Sequence, residues 1–160
     1  MSSDTNKLNN VAAERGVLSY VLNSGSSAVA EMAGSLSAKD FSVSIHQSIF
    51  ECALSACEES DIDSVLNNSI LSSAKEKGLI SVFDNKSIEY VEKIRSSDYN
   101  PSEIQSFVKK IKFWSVVKNL KTNLSNNEKL LNNLTGDESI LDVISGAEES
   151  VFSFLPELVD

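Results

Sequence analysis

The stretch that decides the fold is residues 100–134, NPSEIQSFVKKIKFWSVVKNLKTNLSNNEKLLNNL. It opens with Asn100 as a helix cap, Pro101 at the first helical position and Glu103 where its side chain can reach back to the cap. No Gly or Pro follows until Gly136. Apolar residues recur mostly three or four positions apart, which predicts one helix of about 45 Å. They are Ile104, Phe107, Ile111, Trp114, Val117, Leu120, Leu124 and Leu131.

A second amphipathic segment follows after a break at residues 135–137, Thr-Gly-Asp. Its pattern ends at Pro156, which cannot continue a helix. Two long helices joined by a short break predict a helical hairpin on a smaller helical body. The apolar positions of this second arm are Ile140, Ile144, Ala147, Val151 and Phe154 or Leu155.

The two predicted arms carry opposite charges. Between Pro101 and Lys121, five Lys against one Glu give a net charge of +4, whereas residues 137–160 hold seven acids and no Lys or Arg, a net of −7. Such arms suit an antiparallel pair, within one chain or between two chains. Two solvated helix faces with a charge bias are the alternative. Because the whole chain has a net charge of −9, we expect little or no direct binding of nucleic acid.

Length and composition favour a helical globular protein. A chain of 160 residues can bury one core and carry an appendage, and only two Pro and six Gly favour helices throughout. Two Cys do not make a disulfide framework, so we expect a reducing, cytoplasmic location. The sequence predicts neither a signal peptide nor a membrane segment, because its first ten residues are polar and no apolar run approaches about 18 residues.

Taken in order, the chain predicts an all-α fold. We expect a disordered lead over 1–9, a compact multi-helix body over 10–98 and the long antiparallel hairpin over 100–156. Within the body, the predicted helices cover 10–23, 26–32, a stripe from His46 to Cys57, a segment starting at Ser60 with Gly78 as its cap, and 87–95. Residues 79–83 are predicted to be a buried connector.

No catalytic, cofactor or metal site is predicted in this chain. A phosphate-binding Gly-rich loop is absent from the sequence. His46, the only His, lies on an apolar stripe, where a buried, hydrogen-bonded role is the default. Cys52 and Cys57 are five positions apart on a helix and cannot share a metal; Cys57 is expected in the core and Cys52 near it. The acids around Asp61 lack the spacing of a calcium loop.

Trp114, the only Trp, lies halfway along the long helix with other aromatic residues close by. One hairpin has little interior for them, so either the body or another chain must cover them. We therefore treat the apolar stripes of both arms as candidates for a subunit interface. The candidates are Ile104, Phe107, Ile111, Trp114, Val117, Leu120, Ile140, Ile144 and Val151.

Several short motifs, in this order, resemble the N-terminal domain of DnaB-type replicative helicases. Residues 13–22, AERGVLSYVL, resemble the family's A-E-x-x-V-L-G-x-x-L, and 46–50, HQSIF, resemble H-x-x-I-F. Further matches are Leu36 with Asp40-Phe41, residues 61–63, the pair Leu71 and Leu79, and 147–152. Departures are Ser19 for the usual Gly, no Pro before Ile62, and Lys for Arg in the first arm. The motif residues expected in the core are Glu14, Val17, Leu18, Leu22, Phe41, His46, Ile49 and Phe50.

The resemblance implies a non-catalytic assembly and docking domain. In that family a helical head carries a hairpin that pairs between subunits, dimers assemble into a hexameric ring, and the ring binds primase or a helicase loader. ATP and Mg²⁺ belong to a separate C-terminal motor, so we expect this chain to be the N-terminal portion of a longer helicase. A stand-alone helicase-binding adaptor, such as a primase C-terminal domain or a loader fragment, is the alternative. An enzyme with an unrecognised site near His46 or Asp61 is a third hypothesis.

Overall fold

The computed structural model describes residues 3–32 and 34–153, and this part of the chain contains six α-helices and no β-strand. The all-α prediction is confirmed. The helices are α1 (Ser3–Met32), α2 (Ser44–Glu59), α3 (Asn67–Glu76), α4 (Asn85–Arg95), α5 (Ile104–Asn132) and α6 (Ile140–Phe152). Short 3₁₀ turns at Ala38–Asp40, Ile80–Val82 and Pro101–Glu103 join some of them.

The chain divides into two compact units, Met1–Phe113 and Trp114–Asp160. We call the described residues of the first unit the head and those of the second, 114–153, the hairpin. The sequence placed this boundary near residue 99. In the structure the first turns of α5 lie in the core of the head, because Ile104, Val108 and Ile111 are buried there.

The N-terminal segment is helical rather than disordered over the residues that are described. Helix α1 begins at Ser3, seven residues before the predicted start, while Met1 and Ser2 lie outside the described residues. The predicted break after residue 23 is confirmed, since Gly25 has φ 56° and ψ −131° inside α1. A Cβ at Gly25 would lie 2.2 Å from the carbonyl oxygen of Ile62. Glycine is therefore required both by the backbone angle and by the close approach of another segment.

That approaching segment corrects the predicted start of the fourth body helix. The sequence suggested a helix from Ser60, but α3 begins at Asn67. The intervening residues instead bond to the bend of α1: Ser26 N donates to Ile62 O at 2.8 Å, and Val65 N donates to Leu22 O at 2.8 Å. Their backbone groups are satisfied by α1 instead of by a helical turn. Leu66, the last residue before α3, is 58% exposed.

Other local predictions have mixed outcomes. Gly78 ends α3 as predicted: its φ is 73°, and Leu79 N donates to Ala74 O at 2.7 Å, which is a Schellman closure. The connector after it is only partly buried, because Phe83 is buried but Ile80 is exposed. Helix α4 begins two residues earlier than predicted and is capped by Asp84, which accepts a bond from Ser87 N.

The predicted burial of the two cysteines is reversed in the structure. Cys52 is fully buried and Cys57 only partly, because α2 turns the Cys52 side into the core. Burial raises the pKa of Cys52 to about 11.

The long helix forms as predicted. Asn100 caps the start of the long segment by accepting bonds from the backbone and the hydroxyl of Ser102. Helix α5 then runs without interruption for 29 residues.

Candidate assembly interface

The turn between α5 and α6 is held by a single carboxylate. Glu138 accepts hydrogen bonds from Thr135 N at 2.9 Å, the Thr135 hydroxyl at 2.9 Å and Gly136 N at 3.0 Å. These bonds, that from the Thr135 backbone first, lower the pKa of Glu138 to about 2. Gly136 has φ 97°, a conformation that favours glycine. The break predicted at residues 135–137 is therefore a fixed chain reversal.

Two asparagines on α5 set the pairing with α6. The side-chain nitrogen of Asn123 donates to Ser150 O at 2.8 Å, and that of Asn127 donates to Ala147 O at 3.3 Å. As the position on α5 rises, its partner on α6 falls, so the arms are antiparallel. Asn127 is buried, which makes its amide a specific register contact between the two arms.

One side of α5 in the hairpin presents a heptad-like apolar row. Val117, Leu120, Leu124, Asn127 and Leu131 are alternately three and four positions apart, the spacing of coiled-coil seams. Leu124 is 51% exposed and Leu131 is 49% exposed, while Val117 and Leu120 are half-buried. The hairpin itself covers only part of this row.

Helix α6 adds further exposed apolar side chains. Ile140 and Leu141 are about three-quarters exposed, and Ile144 and Phe152 are about half exposed. Of the twelve large hydrophobic side chains exposed in the described chain, eight belong to the hairpin. Single exposed hydrophobic side chains are ordinary, whereas eight of them within residues 124–152 are a marked concentration. The eight are Leu124, Leu130, Leu131, Leu134, Ile140, Leu141, Ile144 and Phe152.

The predicted interface residues fall into two groups. Ile104 and Ile111 are buried in the head core, and Phe107 packs against it, with a ring atom 2.6 Å from where a Cβ of Gly16 would stand. These three side chains serve the core of this chain, because the first turns of α5 face α1 rather than an open surface. The remaining candidates lie in the hairpin: Ile140 and Ile144 are exposed, and Trp114, Val117, Leu120 and Val151 are half-buried.

Several exposed residues were not among the predicted interface candidates. Leu130, Leu134, Leu141 and Phe152 lie outside the apolar stripe that was read for each arm. The number of apolar residues in the two arms could have indicated these positions. Both arms carry apolar residues on more sides than a single contact between them can cover.

In the head, the motifs of residues 13–22 and 46–50 meet at a buried polar cluster. Glu14 Oε1 lies 2.7 Å from Nδ1 of His46, and both side chains are fully buried. The other carboxylate oxygen accepts from Asn10 and from the backbone and hydroxyl of Ser42. Burial raises the pKa of Glu14, but the bonds from His46 and Ser42 together outweigh burial and lower it. Nε2 of His46 lies 2.7 Å from the Tyr90 hydroxyl, so the cluster connects α1, α2 and α4.

This placement agrees with the expectation for His46 and explains the two motifs. The other motif residues are all buried in the same core; they are Val17, Leu18, Leu22, Phe41, Ile49 and Phe50. The rings of Phe41 and Phe50 pack with centroids 4.9 Å apart. The motifs thus encode the inside of the head.

Comparison with known proteins identifies the family. The family model described as "DnaB-like helicase N terminal domain" matches residues 6–113 of the chain. This chain belongs to the DnaB-like helicase N-terminal domain family. The expected resemblance is therefore confirmed. The matched residues end where the head ends, so the family model describes the head of this DnaB-like domain.

A solved structure extends the likeness to the fold of nearly the whole chain. The crystal structure of the N-terminal domain of DnaB helicase from Mycobacterium tuberculosis is 15% identical, with a TM-score of 0.74. The match covers 89% of this chain and 96% of that one. At this identity the comparison supports the fold alone. A search of curated protein sequences found no match.

No group of three or more His, Cys, Asp or Glu side chains in 3–32 and 34–153 is placed to hold a metal ion. His46, the one residue considered as a base, is enclosed by Glu14 and Tyr90 and has no exposed surface. Over the same residues, no helix is long and apolar enough to cross a membrane.

Proposed function

We propose that this DnaB-like domain is a non-catalytic assembly and docking module of a replicative DNA helicase. Its hairpin pairs with the hairpin of a second copy, and pairs assemble into a ring. The observation that carries the proposal is the exposed apolar surface of the hairpin, defined by the eight large side chains given above. Apolar area of this kind is stabilised when another surface removes it from water.

A second copy is the occupant that the hairpin fits best. A heptad-like row is self-complementary, because the same positions on two helices interdigitate in a coiled-coil contact. The charges agree with this choice. Lys118 and Lys121 on α5 and Asp142, Glu148 and Glu149 on α6 form no ion pair with any described residue of their own chain. Opposite charges with no ion-pair partner among the described residues are available to a partner of the same sequence.

The remaining parts of the proposal rest on family membership. Primase or a helicase loader is the proposed docking partner of the assembled domain, and the place of action is the cytoplasm. Cofactors are assigned to the motor: ATP and Mg²⁺ would act there and not in this chain. Direct nucleic-acid binding is a minor role at most, because a chain with net charge −9 is repelled by phosphate backbones.

Sedimentation velocity over a concentration series tests the central claim. We expect the wild-type chain to form dimers or larger species by about 100 μM, a modest affinity for one helical interface. The double variant Leu124→Ser/Leu131→Ser should weaken association at least about tenfold, or about 1.4 kcal/mol. The matched control is Leu8→Ser, since Leu8 is 69% exposed but lies on α1 in the head.

Two results would overturn the proposal. A wild-type chain that remains monomeric throughout the series has no assembly function of its own. A double variant that associates as tightly as the Leu8→Ser control would show that association does not use the apolar row of α5.

A further inference from the structure

The hairpin differs from an ordinary subdomain because it has no hydrophobic interior. Every buried hydrophobic residue of the described chain lies at or before Ile111. Within 114–153 only Ser115 and Asn127 are buried, and both are polar. The arms are joined by side-chain bonds from Asn123 to Ser150 O and from Asn127 to Ala147 O, and the α6 residues Val143 and Ala147 are only half-buried.

The intrinsic helix stability of these two segments does not compensate for the missing hydrophobic interior. The last turns of α5 are rich in Ser, Thr and Asn, residues that compete with the helix for backbone hydrogen bonds. Helix α6 has only 13 residues and contains Gly146. No atom lies within 4 Å of where a Cβ of Gly146 would stand, so packing does not require glycine at this position. Isolated helices of this length are marginal in water, and fixing each residue costs conformational entropy.

We infer that the hairpin acquires its helical structure by pairing with a second copy, so that folding of residues 116–152 and assembly are one coupled step. This inference rests on the proposed function, because the second copy supplies the apolar cover that the hairpin lacks. The turn at Glu138 and the bonds of Asn123 and Asn127 fix the register once the arms are ordered. The head, which has its own core, is folded in either state.

Coupling gives the assembly a regulatory property. Segments that order on binding use part of the interaction free energy for ordering, so their affinity is lower than their buried area suggests. Dimer formation then requires a higher local concentration than the buried area suggests. In a copy without a partner, residues 116–152 are unfolded and do not present a preformed apolar helix surface.

Hydrogen exchange of the 160-residue chain tests the inference. We would compare a concentrated sample, a dilute sample in which sedimentation shows monomer, and the Leu124→Ser/Leu131→Ser variant. Peptides from α6 and from α5 beyond residue 116 should exchange at least about tenfold faster in the monomeric samples, whereas α2 peptides should not change. The Leu8→Ser variant should follow the wild type at each concentration.

The outcomes separate this inference from the proposed function. Association with equal protection of α6 in dilute and concentrated samples overturns coupled folding and leaves assembly intact. A chain that never associates overturns both, because no second copy then covers the hairpin. Loss of protection in α2 as well as α6 on dilution would show global unfolding, which also contradicts an independently folded head.

Discussion

The head and the hairpin of this domain are built from similar helices but are stabilised by different means. The head encloses aromatic and aliphatic side chains between α1, α2, α3 and α4, and it also contains the buried polar cluster around Glu14 and His46. The hairpin buries only Ser115 and Asn127 among its described residues and leaves eight large apolar side chains exposed. One region therefore buries its apolar side chains within one chain, whereas the other leaves most of them exposed. Helical content alone does not distinguish them; burial does.

The largest expected effect comes from removing a core ring of the head. Phe50 is fully buried and packs on Phe41. Phe50→Ala should lower the free energy of unfolding by about 3–5 kcal/mol, because it leaves a cavity in a packed core. Urea denaturation of the monomeric chain, followed by circular dichroism, measures the change. A loss below about 1 kcal/mol would contradict the view that the head is held by this core.

An intermediate effect is expected at the buried cluster. Glu14→Gln keeps the size of the side chain but sets an amide against groups that donate to the carboxylate, so it should cost about 1–3 kcal/mol at neutral pH. The lowered pKa of Glu14 also makes a prediction about acid. Its contribution is complete above the ordinary pKa of 4.5 and disappears as the pH falls through the lowered value. This acid-dependent part should be absent in Glu14→Gln.

The control for that experiment is Glu149→Gln, which changes an exposed carboxylate on α6. It should leave both the neutral-pH stability and the acid dependence of the head unchanged. Equal stability losses in the two variants would show that the cluster has no special role. Identical acid profiles in the wild type and Glu14→Gln would mean that Glu14 does not remain ionised in the folded head.

The smallest effect on stability is expected in the hairpin. Leu141 is 75% exposed, so Leu141→Ser should change the unfolding free energy of the head by less than about 0.5 kcal/mol in dilute monomer. The same urea experiment applies, with Phe50→Ala as the reference for a large loss. A loss above about 1 kcal/mol would show that α6 supports the head directly, and the contrast between the two regions would fail.

Motif and periodicity predicted much of the head, and the reasons for their limits are specific. The α2 stripe around Ile49 and Phe50 was readable because apolar positions repeat with the helical period. The contact between Glu14 and His46 could not be predicted from the sequence, although each residue lies in a quoted motif. The two residues are 32 positions apart and belong to different helices. For the interface, the sequence marked both arms of the hairpin. It could not show that Ile104, Phe107 and Ile111 face the head.

The sequence by itself determined the helix class, the long helix α5, the breaks at Gly25, Gly78 and Gly136, and the resemblance to the DnaB-like family. These features are local, since periodicity, caps and glycine angles act within a few residues. Only the tertiary structure decided that residues 61–66 bond to the bend of α1 instead of forming a helix, that Cys52 is more buried than Cys57, and which part of α5 is enclosed. Such outcomes depend on which distant segment supplies the neighbours. Periodicity identifies an apolar face, but the folded chain determines what covers it.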